Sequence, residues 1–155
     1  MSRRDQIRMD EGEVLAFLDE ERIVTCASIG RDGRPHLMPL WYVVRDGALW
    51  AWTYGKSQKT LNLRRDPRAT LQVEAGEEYQ QLRGVMLTCD TVVHRDVETV
   101  LGVGLEVFAR YTPGIELTPE VRGMVEQQAS KRVAMEFVER SRATWDHRKL
   151  ASGVY

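Results

Sequence analysis

The residues best suited to chemistry are Lys56, Ser57, Gln58 and Lys59. They fall where an apolar run, residues 48–53, gives way to helical spacing, so they occupy the first turn of a helix. A helix N-terminus leaves N–H donors unpaired and facing outward, and anions are favoured there. A phosphate in that turn would receive backbone N–H groups, the Ser57 hydroxyl and a lysine ammonium. The other reading is a solvated turn that Ser57 simply caps. Residues 56–68 hold five basic side chains and one acid, a +4 segment in a chain whose remainder is −5. That asymmetry suits a local anion site better than an extended nucleic-acid surface.

Trp41, Tyr42, Trp50, Trp52 and Tyr54 crowd into the fourteen positions up to residue 54. In a strand, Trp50 and Trp52 share a face. Flat side chains beside an anion site suit a ring-bearing phosphorylated ligand; alternatively they fill a barrel core or a subunit interface. Other chemistries find no support. No GxxxxGK[ST] or GxSxG occurs, and Gly102-Val103-Gly104 lies inside an apolar helix rather than after a strand. His36, His94 and His147 lack metal-ligand spacing with cysteines or acids, so they read as structural histidines and no metal centre is expected. Glu77-Glu78 and Glu136 with Glu139 read as surface charge. No nucleophile stands out and no catalytic residue is assigned, which is awkward for a hydrolase and expected where a cofactor carries the chemistry.

These residues need elements to hold them. Val14, Leu15 and Leu18 mark a helix near residues 10–20. Residues 23–29 read as a β-branched strand ending at Gly30-Arg31-Asp32-Gly33. Residues 37–44 return to a second Asp-Gly pair, Asp46-Gly47, and residues 48–53 form a third strand, an antiparallel meander with two tight turns. A helix over residues 56–65 stops at Asp66-Pro67. Strands follow at 69–75 and 85–94, helices at 96–110 and 120–129 with Pro119 at the start of the latter, and a last strand at 132–139. Five to seven strands cannot lie flat with exposed edges, so the expected fold is α+β, mainly β: a closed or partly closed antiparallel barrel with short flanking helices.

The chain has 155 residues, with no repeat, linker or low-complexity tract, and reads as one domain over 1–155. Its 22 basic and 23 acidic residues leave a net charge of −1, against a surface built to grip nucleic acid or anionic membrane. No run approaches the ~18 apolar residues of a membrane span, and the N-terminus lacks the apolar core of a signal peptide. Cys26 and Cys89 sit singly in apolar runs and read as buried free thiols of a cytoplasmic protein.

At this point a family likeness emerges. Residues 23–42, with Asp32-Gly33-Arg34-Pro35, are followed by residues 49–71, with Thr53, Ser57 and Lys59 and then Asn62-Leu63-Arg64-Arg65-Asp66-Pro67-Arg68. Together they resemble the pyridoxamine 5′-phosphate oxidase-like split β-barrel superfamily. Residues 59–68 are most similar to its flavin/deazaflavin oxidoreductases of group B, the F420-dependent branch. The likeness is good from residue 14 to about 94 and looser over residues 144–150.

The resemblance implies a homodimer of split barrels with two cofactors at the subunit interface. It implies a phosphate held after the third strand, by Thr53, Lys56, Ser57, Gln58 and above all Lys59, with Trp52 alongside. It implies a ring system along Leu37, Met38, Pro39, Leu40 and Trp41, and closure of the pocket by Gln80, Gln81, Trp145 and Arg148 of the second subunit. The flavin-using oxidases commonly carry arginine at the position of Gln58 and basic residues near Leu37–Pro39; this chain has neither. The ligands of pyridoxamine phosphate are not recognisable at its C-terminus either. The resemblance therefore implies hydride transfer from reduced deazaflavin F420 to a small conjugated substrate. The alternatives are an FMN-binding oxidoreductase or oxidase-like protein, or a barrel that binds a cofactor or haem without turnover.

Overall fold

The computed structural model describes residues 2–150. The expected domain runs to residue 155, so its last five residues and Met1 lie outside the described residues. Seven strands form one antiparallel sheet: β1 (Val24–Ile29), β2 (Pro35–Leu40), β3 (Tyr42–Arg45), β4 (Ala48–Tyr54), β5 (Arg68–Ala75), β6 (Arg83–His94) and β7 (Arg132–Asp146). Their spatial order is β2-β1-β5-β6-β7-β4-β3. The edge strands β2 and β3 are separated in the chain by Trp41 alone, so the sheet curls until its two edges meet at one residue. This is a split barrel, mainly β, with five helices: α1 (Arg3–Gln6), α2 (Glu11–Glu20), α3 (Gln58–Arg65), α4 (Val97–Tyr111) and α5 (Pro119–Ala129).

The expected elements appear, together with the short helix α1 that was not expected, and with two differences. The run 37–44 is not the middle strand of a meander. It breaks at Trp41, and its halves pair with β1 and β4 at opposite ends of the sheet. Pro35 and Pro39 have no N–H and confine β2 to an edge. Tyr42, fully buried, is pulled inward: its hydroxyl donates to the carbonyls of Leu18 (2.6 Å) and Glu21 (3.0 Å). The last strand also runs on past Glu139 to Asp146, because β6 offers it a partner throughout, with a bulge at Thr88/Cys89. Its exposed arginines there find acids: Arg140 pairs with Asp90 (2.6 Å) and Arg142 with Glu11 (2.8 Å).

Around Tyr42 lies a hub of buried polar contacts. Arg110 of α4 donates to the carbonyls of Tyr42 (2.6 Å), Leu18 (2.9 Å), Asp19 (3.1 Å) and Glu21 (2.7 Å). The last carbonyls of a helix lack partners and carry its negative pole, so a guanidinium there satisfies both; α2 has no basic residue of its own in that turn. The Tyr111 hydroxyl accepts from the Tyr42 N–H (2.9 Å) and reaches the Arg22 and Tyr42 carbonyls at 2.8 Å each. Helix, strand corner and α4 are thereby tied at one point.

Alternation splits the core in two. Inward residues such as Val24, Leu49, Leu71, Val85, Met135 and Phe137 fill the barrel, and Val14, Phe17 and Leu18 of α2 plug one end. Outward residues Val43 and Ala134 pack under Val100, Val103 and Val107 of α4, with Trp50 and Trp52 beside them. Cys26 and Cys89 are free thiols inside the barrel. Burial pushes the Cys26 thiol up to about 11 and the Cys89 thiol up to about 12.

Two outcomes follow. Arg110→Met strips a charged donor from four carbonyls, and urea unfolding should show a loss of about 1.5–3 kcal/mol. The control Arg122→Met removes only an exposed α5 pair with Glu126 (3.0 Å) and should change stability by no more than about 0.5 kcal/mol. The two thiols should resist a disulfide reagent at pH 8 in the native protein and react fully in denaturant; native labelling would contradict their placement.

Candidate functional site

The turn Gly55-Lys56-Ser57 carries the chain from β4 into α3. Ser57 caps the helix: its side chain accepts the Thr60 N–H (3.4 Å) and bonds the Thr60 hydroxyl (2.9 Å), which reaches back to the Tyr54 carbonyl (2.9 Å). The capping role is thus real. A polar network seats α3 on β1. Fully buried Asn62 donates to the Ser28 hydroxyl (3.1 Å) and accepts from Gln58 (2.8 Å) and Arg65 (3.2 Å).

Seating α3 this way turns Lys59 inward. It is only 8% exposed, and among the described residues it has neither hydrogen bond nor ion pair. Burial is the main cause holding its ammonium below the usual lysine value; the Cys26 thiol opposes that shift and the Arg132 guanidinium adds to it. Its Nζ is not among the fully buried atoms without a partner, so the ammonium keeps some contact with solvent, and an anion reaching it would gain a partner in a largely apolar setting. Lys56 stands exposed in the same turn, and Thr53 is buried on the inner face of β4.

Beside this turn β2 is unusually bare. Leu37 is 61% exposed and Met38 40%, and Pro39 is exposed too, whereas Leu40 turns into the core. Trp41, 52% exposed, stacks on Tyr111 with ring centres 4.5 Å apart and planes 10° from parallel. Because β2 pairs only with β1, its other edge keeps unpaired backbone groups.

The remaining expected residues lie elsewhere. Trp52 is on the opposite face of β4 from Thr53, against Gly104 of α4, where a Cβ would meet the indole at 2.7 Å. Gln80, Gln81, Trp145 and Arg148 gather at the far end of β6 and β7: Trp145 lies against Gly84, and Arg148 pairs with Asp146 (2.7 Å). Arg132 and Trp145 bound opposite ends of β7, about 40 Å apart along the strand at ~3.3 Å per residue. One chain therefore does not bring the second group to Lys59.

Sequence reasoning missed Arg132. Cross-strand pairing sets it opposite Tyr54, and its guanidinium lies over the rings of Tyr54 (4.1 Å) and Trp52 (4.4 Å). Its Nε is buried without a partner. Only the β4–β7 register reveals this, since the residues are remote in sequence. Among the described residues, no cluster of three or more histidines, cysteines or acids could hold a metal, and no helix is long and apolar enough to cross a membrane.

An open-edged split barrel with a cationic turn after its β4 strand defines a class of protein, and the comparisons agree. Residues 10–137 match the family model for pyridoxamine 5′-phosphate oxidase, and the chain belongs to that family. A conserved hypothetical protein from Mycobacterium tuberculosis is 41% identical, covering 100% of this chain and 97% of its own, with a TM-score of 0.89. An F420 reductase shares the fold at 17% identity, covering 87% of this chain and 98% of that one, with a TM-score of 0.62. The haem storage protein HutZ from Vibrio cholerae does so at 14% identity, 86% and 94% coverage and a TM-score of 0.68. A search of curated proteins finds no match.

Lys59→Met provides a test of the unpaired cation. A lysine whose pKa is lowered by folding disfavours the native state while protonated in it, and that penalty fades as pH rises through the folded pKa toward the ordinary value of 10.5. The variant should therefore be more stable than the parent at neutral pH, with the gain shrinking in alkali. A variant less stable at neutral pH would mean that Lys59 already has a partner.

Proposed function

We propose that the protein is an oxidoreductase using the 5-deazaflavin coenzyme F420, with the coenzyme's phosphate at Lys59 and its ring system along β2. The observation that carries this is Lys59, a largely buried lysine without an acid partner in the first turn of a helix. An anionic ligand satisfies it, and a ring covers the apolar strand left bare nearby. Thr53, Lys56, Ser57 and Gln58 frame the phosphate turn. The free edge of β2 offers backbone groups to the ring's polar rim, and Pro35 and Pro39 discourage another strand from pairing there.

When bound, the reduced deazaflavin supplies the hydride taken up by a small conjugated acceptor. The chain's own part is to hold the phosphate at Lys59, orient the ring on β2, and exclude water with Leu37, Met38 and Trp41. Gln80, Gln81, Trp145 and Arg148 reach this site from a second copy, giving a homodimer with two sites. FMN is the second reading. Against it stand Gln58 and the uncharged Leu37–Pro39 stretch, positions where flavin-using oxidases carry basic residues. In favour of F420, one neighbour of the same fold is an F420 reductase.

Fluorescence titration of cofactor-free protein with F420 and with FMN tests the proposal. Tight F420 and weak FMN binding is expected, and Lys59→Ala should weaken F420 about 10- to 150-fold, as befits a charge-assisted contact of about 1.5–3 kcal/mol. Preference for FMN would move the protein to the flavin branch, with oxygen as the first acceptor to try. Binding of neither would remove the cofactor reading; a haem titration would then test the carrier alternative.

A further inference from the structure

Where the α4–α5 hairpin covers the outer face of β4, the packing stops short. It leaves a cavity of about 460 Å³ walled by Trp41, Trp52, Val107, Tyr111, Val125 and Arg132. That volume is of ligand size. Its mouth is ringed by exposed apolar side chains, with Met124 66% exposed and Ile115 56%. No acid lines it.

Two of the four buried side-chain polar atoms without a partner among the described residues, Trp52 Nε1 and Arg132 Nε, belong to residues of this wall. Both are donors. Neither atom itself opens onto the cavity, so the outer nitrogens of the Arg132 guanidinium are the ones that can reach an occupant. Arg132 also has no ion pair, and the rings of Trp52 and Tyr54 hold its guanidinium in place, so little freedom is lost when an anion pairs with it. The Trp41–Tyr111 stack and the Trp52 indole supply flat apolar walls.

We infer that this cavity is a binding site for a flat, apolar molecule bearing one acidic group, with the acid held by Arg132 and the ring body between the α4–α5 hairpin and β4. Trp41 belongs both to this wall and to the end of β2. If the deazaflavin reading holds, on which this assignment of role rests, the occupant is the acceptor substrate, lying next to the ring. The cavity opens on the other face of β4 from Thr53, while Arg132 lies near enough to the turn to act on the Lys59 ammonium.

The test uses the full chain without added coenzyme. It is titrated with 1-anilinonaphthalene-8-sulfonate, a flat apolar anion, and with N-phenyl-1-naphthylamine, the same ring body without charge, read by energy transfer from tryptophan. One sulfonate per chain should bind, more tightly than the neutral amine. Arg132→Gln should weaken the sulfonate about 10- to 150-fold, in line with a charge-assisted contact, and leave the amine unchanged. Val121→Trp, which fills the cavity from α5, should abolish both while leaving F420 titration unaltered. Sulfonate binding that survives Val121→Trp, or that falls no more than the amine's in Arg132→Gln, overturns the site. Loss of F420 binding in Val121→Trp overturns it too, by making the cavity part of the coenzyme site. If parent protein binds the sulfonate as expected but no F420, the site stands and only the deazaflavin reading falls.

Discussion

The structure depends on how the chain turns at Trp41 and Tyr42. A barrel of seven strands must either close or leave two open edges, and here both edges come from one stretch of chain. What holds the stretch in two halves is the set of charged and phenolic donors on the carbonyls of α2's last turn. Arg110 alone reaches three of those carbonyls and that of Tyr42. Such bonds are directional, so they fix position as well as energy. With Tyr42 drawn in, Trp41 is left outside against Tyr111, β2 becomes a bare edge strand, and α4 is held over Trp52.

Within that frame two cations stand out among those that have no acidic partner in the described residues. Lys59 is buried by the seating of α3 on β1, and Arg132 lies between aromatic rings with its Nε unpaired. Several other arginines are matched with acids: Arg83 with Glu20, Arg142 with Glu139 and Glu11, Arg148 with Asp146. A largely buried lysine and an arginine held between aromatic rings, neither with an acid beside it, are places where a negative charge would be favourable. The bare apolar strand β2 is the same kind of evidence, since solvent-exposed Leu37 and Met38 contribute nothing to the barrel.

Much of this was legible in the order of residues. Asp10 and Thr118 at helix starts, Asp46-Gly47 at a hairpin with φ of 51° and 78°, and Asp66-Pro67 at a helix end act through neighbours in the chain. The place of Lys59 in the first turn of a helix was a local fact of the same kind. The resemblance to the pyridoxamine 5′-phosphate oxidase-like barrels held over the stretch that carries it. The break at Trp41 was not legible: residues 37–44 run apolar without interruption, and the donors that split them sit on α4.

The sequence by itself determined most of the strands and helices, that the protein is mainly β, and where its basic turn lies. Periodicity, turn chemistry and capping are short-range and need no partner. Only the tertiary structure decided which strands pair, that Trp52 faces α4 while Thr53 faces the barrel, and that Arg132 comes to rest over Trp52 and Tyr54. Those outcomes depend on register between segments far apart in the chain, and a register is chosen by the burial of whole faces at once.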